Sequence, residues 1–175
     1  IHSFISSGKF AILLTGNSGS GKTTILHAAV RDYYGESISL SNDNILSISS
    51  LKEQGISYYR NEVRIFCQSS STIPGKKKML ILDDLDIINE HGQQVFTNCI
   101  DKYCHNVSFI ASCTNIQKII GSIQSRMDII KVRPNSSNEL TIIANNIIDK
   151  ECISLDPPVV DFIINVCNGS VRIMI

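Results

Sequence analysis

Eight consecutive residues near the start of the chain have the types and spacing of a phosphate-binding loop. They are Gly16, Asn17, Ser18, Gly19, Ser20, Gly21, Lys22 and Thr23. Glycines at these intervals let the backbone curl until successive N–H groups face one point, and a helix beginning near Gly21 adds its positive dipole. We expect Lys22 to reach the β- and γ-phosphates of a nucleoside triphosphate and the Thr23 hydroxyl to coordinate Mg²⁺, with Thr24 following in the helix.

The alternative interpretation is a glycine- and serine-rich turn that matches the pattern by chance. The surrounding sequence favours the loop, because residues 10–14 form an apolar run suited to a buried strand. After the loop, apolar residues recur at helical spacing until Gly35, which ends the predicted helix. Strand, loop and helix therefore occur in the order that a phosphate-binding loop requires.

A second set of candidate chemical groups is the acid pair Asp83 and Asp84, which directly follows the apolar residues 79–82. Such a run indicates a buried parallel strand, and ligands bind at the carboxyl ends of strands in open α/β sheets. We expect Asp83 to hold Mg²⁺ through its water shell and Asp84 to orient or deprotonate an attacking water. Adjacent acids in a solvated turn are the alternative, which the loop upstream disfavours.

The remaining core elements are predicted to alternate between strands and helices. Helices are predicted at residues 54–67 and 90–103, strands at 37–40, 107–112 and 129–132, and a loop at 41–50. Thr114 and Asn115 follow one of these strands and should lie beside the strand that carries Asp83, where a polar side chain can hydrogen-bond the γ-phosphate or the water. The alternation predicts an α/β fold with a doubly wound, parallel, five-stranded sheet.

The composition changes after Pro134, which predicts an α/β core at residues 1–134 and a small all-helical lid at residues 135–175. Ser136 and Glu139 form a capping box, and the apolar residues that follow recur at helical spacing. A second lid helix begins at Asp156-Pro157, and a third contains Arg172.

Composition and charge restrict the class of protein. Of 175 residues, 43% are hydrophobic and 18% charged, which excludes a disordered chain, and no apolar run approaches the roughly 18 residues of a membrane span. The net charge of zero argues against a surface that is basic throughout, although Arg60 and Arg64 are candidates for nucleic-acid or solvent contact. Six cysteines without a CxxC pair indicate reduced thiols inside a cell, and the chain resembles a segment of a longer protein.

An α/β core with these two motifs and a helical lid resembles the P-loop AAA+ ATPases. The details are most similar to the small subunits of clamp loaders, the replication factor C family, over nearly the whole chain. The matching stretches are Asp83-Asp84-Leu85-Asp86, Gln93-Gln94, Lys118-Ile119-Ile120, Ile123-Gln124-Ser125-Arg126 and Gly169-Ser170-Val171-Arg172. The resemblance implies that Arg126 is an arginine finger for a neighbouring subunit's ATP and Arg172 the sensor-2 arginine. A surface ion pair with Asp128 or another acid is the structural alternative for Arg126.

The resemblance further implies a subunit that binds and hydrolyses Mg·ATP at sites of DNA replication inside the cell. Its partners are implied to be the other subunits of a hetero-oligomeric ring, a sliding clamp and the phosphate backbone of primer–template DNA, with no membrane.

Another AAA+ DNA machine, such as an origin-recognition ATPase or a branch-migration motor, is one alternative. A subunit that binds ATP without hydrolysing it is the other. Asp84 is the reason for the non-hydrolysing alternative, because its side chain is about 1.5 Å shorter than that of the family's glutamate. The family's sensor-1 asparagine aligns with Thr114, with Asn115 one place later.

Overall fold

The computed structural model describes residues 11–35, 42–48 and 59–175, which contain a five-stranded sheet. Its strands are β1 Ala11–Thr15, β2 Ile45–Ile48, β3 Lys78–Leu82, β4 Val107–Cys113 and β5 Asp128–Lys131. The strand order is β2-β3-β4-β1-β5, and every neighbouring pair is parallel. Because β4 lies between β3 and β1, its carboxyl end is next to the ends of both strands that precede the two sequence motifs.

Helices follow or connect these strands. They are α1 Lys22–Tyr34, α2 Arg64–Gln68, α3 Glu90–Tyr103, α4 Gly121–Gln124, α5 Ser137–Glu151, α6 Pro157–Cys167 and α7 Val171–Met174. A π-helical turn, Tyr59–Val63, leads directly into α2, whereas residues 54–58 of the helix predicted at 54–67 lie outside the described residues. In the parts of the chain that the structure describes, no helix is long and apolar enough to cross a membrane.

The core explains why the strands read as apolar runs. Leu80 and Leu82 of β3 pack with Phe109 of β4 in one hydrophobic cluster, to which α3 contributes Phe96 and Ile100. Both faces of a parallel sheet are covered, so its strands show continuous rather than alternating hydrophobicity. The helix predicted at residues 90–103 is confirmed as α3, whose first turn is capped by the Asn89 side chain accepting from the Gly92 N–H. The predicted α/β fold with a parallel five-stranded sheet is confirmed.

The edge strand lies elsewhere than the sequence predicted. Residues 37–40, which were predicted to form a strand, fall outside the described residues. The prediction of a loop at residues 41–50 is wrong, because this segment contains β2. Pairing with β3 stabilises this short segment, with Ile45 opposite Met79 and Ile48 opposite Leu82. Only the last of its four residues, Ile-Leu-Ser-Ile, is fully buried, which is consistent with an edge strand that has one neighbour. So short an apolar run does not by itself distinguish a strand from a loop.

The described chain divides into two compact units. One comprises residues 11–15 and 23–131 and contains the sheet. The other comprises residues 16–22 and 132–175. Its helix α5 begins at the predicted capping box, in which Ser136 accepts from the Glu139 N–H and the Glu139 carboxylate accepts from the Ser136 N–H. A small core of Leu140, Ile164 and Cys167 holds α5 against α6.

Candidate functional site

The loop that follows β1 is closed around the ammonium group of Lys22. Its Nζ donates to the carbonyl oxygens of Gly16 and Asn17, each at 2.9 Å, and the side chain is buried. Gly19 and Gly21 have φ values of +76° and +89°, in the left-handed region that side chains other than glycine rarely adopt. The positive φ values explain the glycines at these two positions, and binding of phosphate by the loop stays a prediction.

The same unit places the start of α7 against this loop. The Val171 N–H donates to the Gly19 carbonyl at 3.1 Å, and Arg172 Nη1 donates to Ser18 Oγ at 3.2 Å. A Cβ atom on Gly19 would collide with Ser170 Oγ, so glycine is also required there by packing. The structure thus brings Arg172, predicted from its Gly-x-x-Arg context, to the loop.

At the carboxyl end of β3, two hydroxyl groups hold the Asp83 carboxylate. Thr23 Oγ1 donates to Asp83 Oδ2 at 2.8 Å, and Ser112 Oγ donates to Asp83 Oδ1. Thr23 is the second residue of α1, and Thr24 beside it is exposed. Hard cations such as Mg²⁺ prefer oxygen ligands of these kinds. The structure therefore brings together the two residues predicted to bind the metal.

Ser112 is a site residue that the sequence analysis missed. It is fully buried in β4, and its Oγ also accepts the N–H of Asp84 at 3.1 Å. Asp84 has φ 54° and ψ 50°, a left-handed conformation in which aspartate and asparagine are enriched among non-glycine residues. One serine hydroxyl therefore fixes both acids of the pair. The available sequence clue was a serine at the carboxyl end of a largely apolar strand, directly before its polar tip.

A carboxylate also fixes the tip of β4. Asp86 Oδ2 accepts the N–H groups of Thr114 at 3.2 Å and Asn115 at 3.0 Å. Both residues are exposed, and the Asn115 side chain accepts from the Gln117 N–H at 2.9 Å. The prediction that this tip lies beside the strand carrying Asp83 is confirmed by the parallel pairing of β3 with β4. Which of the two side chains contacts a phosphate stays a prediction.

Arg126 forms an ion pair at the surface, two residues after α4. Its Nε donates to Asp101 Oδ1 at 2.6 Å and its Nη1 to the Ser122 carbonyl at 2.8 Å. The hydrogen bond between the two side chains lowers the pKa of Asp101 and raises the pKa of Arg126. The partner is therefore an acid of α3 rather than Asp128, the nearer acid in sequence.

A groove of about 470 Å³ is lined by α3, by the π-helical turn Tyr59–Val63 and by the start of α2. Its basic lining residues are Arg60, Arg64, His91 and Lys102, and we call this surface the basic groove. Polar and apolar side chains such as Gln94 and Tyr103 complete the lining, and no aspartate or glutamate occurs among the described residues that line it. The two arginines singled out in the sequence thus share one surface that attracts anions.

Comparisons with known proteins agree with this geometry. The model of the ATPase family associated with various cellular activities (AAA) matches residues 12–135. The replication factor C small subunit of Methanococcus maripaludis is 32% identical over 161 residues, which cover 92% of this chain and 50% of that protein. The corresponding subunit of Methanoculleus marisnigri is 29% identical over 173 residues, with 98% and 53% covered. The chain spans about half the length of the curated relatives it matches.

Solved structures share the fold at lower sequence identity. A RuvB variant from Thermotoga maritima superposes with a TM-score of 0.73 at 15% identity, covering 99% of this chain and 56% of that one. Domain III of the Thermotoga maritima replication initiation protein DnaA gives a TM-score of 0.69 at 17% identity, covering 99% and 78%. At these identities the likeness shows a shared fold.

Proposed function

Because the chain belongs to the AAA family of ATPases, we propose that it is the ATP-binding and ATP-hydrolysing part of a clamp-loader small subunit. The observation that carries the proposal is the hydrogen bond from Thr23 to Asp83, since it brings the last residue of the glycine-rich motif to the first acid of the pair. Similarity to replication factor C small subunits over 92% of the chain supports a clamp loader over other members of the family. We assign residues 1–134 to the nucleotide-binding core and residues 135–175 to a helical lid.

Three features of the chain fit bound Mg·ATP. The buried Lys22 ammonium lies where the loop curls, and the phosphates would take up its donors in place of the loop carbonyls. The Ser20 hydroxyl is buried and has no hydrogen-bond partner in the described part of the chain. A bound phosphate would supply the acceptor that this hydroxyl lacks. Thr23 and Asp83 supply the oxygens for Mg²⁺, which neutralises phosphate charge when bound. Residues 16–24 hold the phosphates.

The other predicted site residues have separate proposed roles. Asp84 orients the attacking water and accepts its proton, and Ser112 holds the Asp84 backbone. Thr114 or Asn115 hydrogen-bonds the γ-phosphate or the water, with Asp86 fixing their backbone. Arg172 senses nucleotide from the lid, beside Ser18.

The proposed subunit works in a hetero-oligomeric ring with the other clamp-loader subunits at sites of DNA replication inside the cell. Binding of ATP orders the ring, Arg126 reaches the nucleotide of a neighbouring subunit, and hydrolysis releases a sliding clamp on primer–template DNA. A subunit that binds ATP without hydrolysing it is the second candidate, because Asp84 has a shorter side chain than the glutamate of the resembling family.

Substitutions of Asp84 separate these two candidates. We expect Asp84→Asn to abolish nearly all ATP turnover while Mg·ATP stays bound, because an amide cannot accept the proton. Asparagine tolerates the left-handed backbone at this position, so the loss is not a folding defect. Asp84→Glu should preserve or raise turnover, whereas Asp83→Asn should weaken Mg²⁺-dependent binding itself. The measurement is steady-state phosphate release with clamp and primer–template DNA present.

Equal inactivity of the wild type and Asp84→Asn, with tight ATP binding by both, would instead identify the subunit as a non-hydrolysing spacer. Steady turnover by Asp84→Asn would remove Asp84 from the catalytic step.

The basic groove is proposed to contact DNA through phosphates. Replacing both Arg60 and Arg64 with alanine should weaken primer–template binding similarly for unrelated sequences, because phosphate contacts carry no base information. The slope of log K against log salt concentration should flatten by roughly one for each phosphate that the groove no longer neutralises. Binding by the complete assembly is measured by fluorescence anisotropy across a salt series.

The matched control is the double variant Arg31→Ala and Lys150→Ala, which removes two exposed positive charges from other helices. It should leave the salt slope nearly unchanged. A slope that changes equally in both double variants would contradict a specific contact at the groove.

A further inference from the structure

Arg126 is anchored by two groups from different helices. Asp101, in the last turn of α3, accepts from Nε, and the carbonyl of Ser122, in α4, accepts from Nη1. A guanidinium group is a rigid planar fork, so fixing these two nitrogens also fixes the direction of the third. Nη1 also lies 3.5 Å from Ser125 Oγ, whereas Nη2 has no hydrogen-bond partner within the described residues. The side chain keeps 36% of its surface exposed.

A second arginine shows what a closed surface pair looks like in the same chain. Arg133 donates from Nη2 to Glu139 Oε1 at 2.6 Å and from Nη1 to Glu139 Oε2 at 3.3 Å. That fork–fork pair occupies the outer edge of the guanidinium, the edge that would otherwise bind a phosphate in a bidentate way. The Asp101 carboxylate instead takes Nε, on the inner edge, and leaves an outer nitrogen of Arg126 available.

The charge state of the pair suits such an anchor. The hydrogen bond from Arg126 lowers the pKa of Asp101, so the carboxylate keeps its charge to a lower pH than an unpaired aspartate would. An exposed arginine without an anchor would sample many rotamers, and the side chain loses this conformational entropy when it binds a ligand. A partner that holds the fork in advance reduces that loss on binding.

We propose that Asp101 is a positioning residue that holds the Arg126 guanidinium so that Nη2 can donate to an anionic oxygen of the nucleotide in a neighbouring subunit. The proposal rests on the proposed function, which gives Arg126 that role in trans. Asp101 itself does not touch the nucleotide. It acts through Arg126 alone, so its effect should disappear when Arg126 is absent.

The first test observes the anchor without any nucleotide. In ¹⁵N spectra of the full chain, the Arg126 Nε–H should exchange with water slowly in the wild type because Asp101 accepts its hydrogen bond. We expect this exchange to accelerate several-fold in Asp101→Ala, to change less in Asp101→Asn, whose amide oxygen can still accept, and to remain slow in Asp128→Ala. Exchange that is equally fast in the wild type and Asp101→Ala would overturn the proposal.

The second test uses ATP turnover by the complete assembly with clamp and primer–template DNA. Asp101→Ala should lower kcat by roughly three- to tenfold at a nearly constant KM for ATP, in line with coupling between contacting groups. Asp101→Glu should restore most of the rate, and Asp128→Ala should match the wild type. Adding Asp101→Ala to Arg126→Ala should cause no further decrease.

The outcomes distinguish this proposal from the proposed function beneath it. A large decrease in Arg126→Ala with no change in Asp101→Ala overturns the positioning role and leaves the finger intact. Unchanged turnover in Arg126→Ala overturns the finger and the positioning role together. Equal additional decreases from Asp101→Ala with and without Arg126 mean a structural role for Asp101, which also overturns the proposal.

Discussion

Replacing Arg126 with alanine should slow ATP turnover by the assembled ring about 10³- to 10⁵-fold, or roughly 4–7 kcal/mol of transition-state stabilisation. The reason is that a trans arginine neutralises charge that develops on a neighbour's transferred phosphoryl group. The variant's own subunit should still bind ATP, because the residues of its cradle are unchanged. Its fold should also persist, since the pair with Asp101 is exposed and surface pairs contribute little stability.

The decisive measurement mixes subunits carrying Arg126→Ala with subunits carrying Lys22→Ala in the complete assembly. Activity regained at interfaces that combine an intact cradle with an intact neighbouring arginine supports action in trans. Arg133→Ala is the matched control, because it also removes an exposed arginine from an ion pair with an acid at 2.6 Å, and it should leave turnover largely unchanged. An Arg126→Ala chain that fails to bind ATP by itself would indicate a cis or structural role.

Lys22→Ala should lose about 100-fold or more in affinity for Mg·ATP, since each hydrogen bond to a charged group contributes about 1.5–3 kcal/mol. In the structure the ammonium donates to two carbonyls of its own loop, and ATP phosphates would be stronger acceptors for the same donors. In the alanine variant water can solvate these carbonyls, so we expect only a small loss of stability. For a chain of this size, each kcal/mol of stability lost lowers Tm by about 2–4 °C.

Isothermal titration calorimetry with Mg·ATP measures the change in affinity, and thermal unfolding monitors the fold. Lys150→Ala is the control, because it removes the same side chain from an exposed position on α5 and should bind ATP normally. Affinity near that of the wild type in Lys22→Ala would refute the phosphate-binding assignment of the loop.

Much of the fold and the identity of the loop could be predicted from the sequence because their causes are local. Gly19 and Gly21 are required by the backbone conformation of the loop itself, and the lysine and threonine that follow are neighbours in the chain. The boundaries of α3 were predictable because its apolar stripe repeats at helical spacing. The capping box of α5 spans only one turn, and so its residue types alone indicate it.

Short segments that depend on partners were less predictable. Strand β2 exists because Ile45 to Ile48 pair with β3 at the sheet edge, a long-range interaction that an apolar run of only four residues does not encode. Nothing local distinguishes such a segment from a loop.

The side chains that fix the chemical groups come from elements that are distant in the sequence. Ser112 reaches Asp83 and the Asp84 backbone because β3 and β4 are parallel neighbours in a particular register, although 29 positions separate Ser112 from Asp83. Arg126 selects Asp101, 25 positions away, over the nearer Asp128 because α3 and α4 pack together in space. Residue types and periodicity specify which groups a chain contains and which face of an element they occupy. The packing of those elements determines which groups meet, because contacts of this length depend on register and helix placement rather than on local sequence.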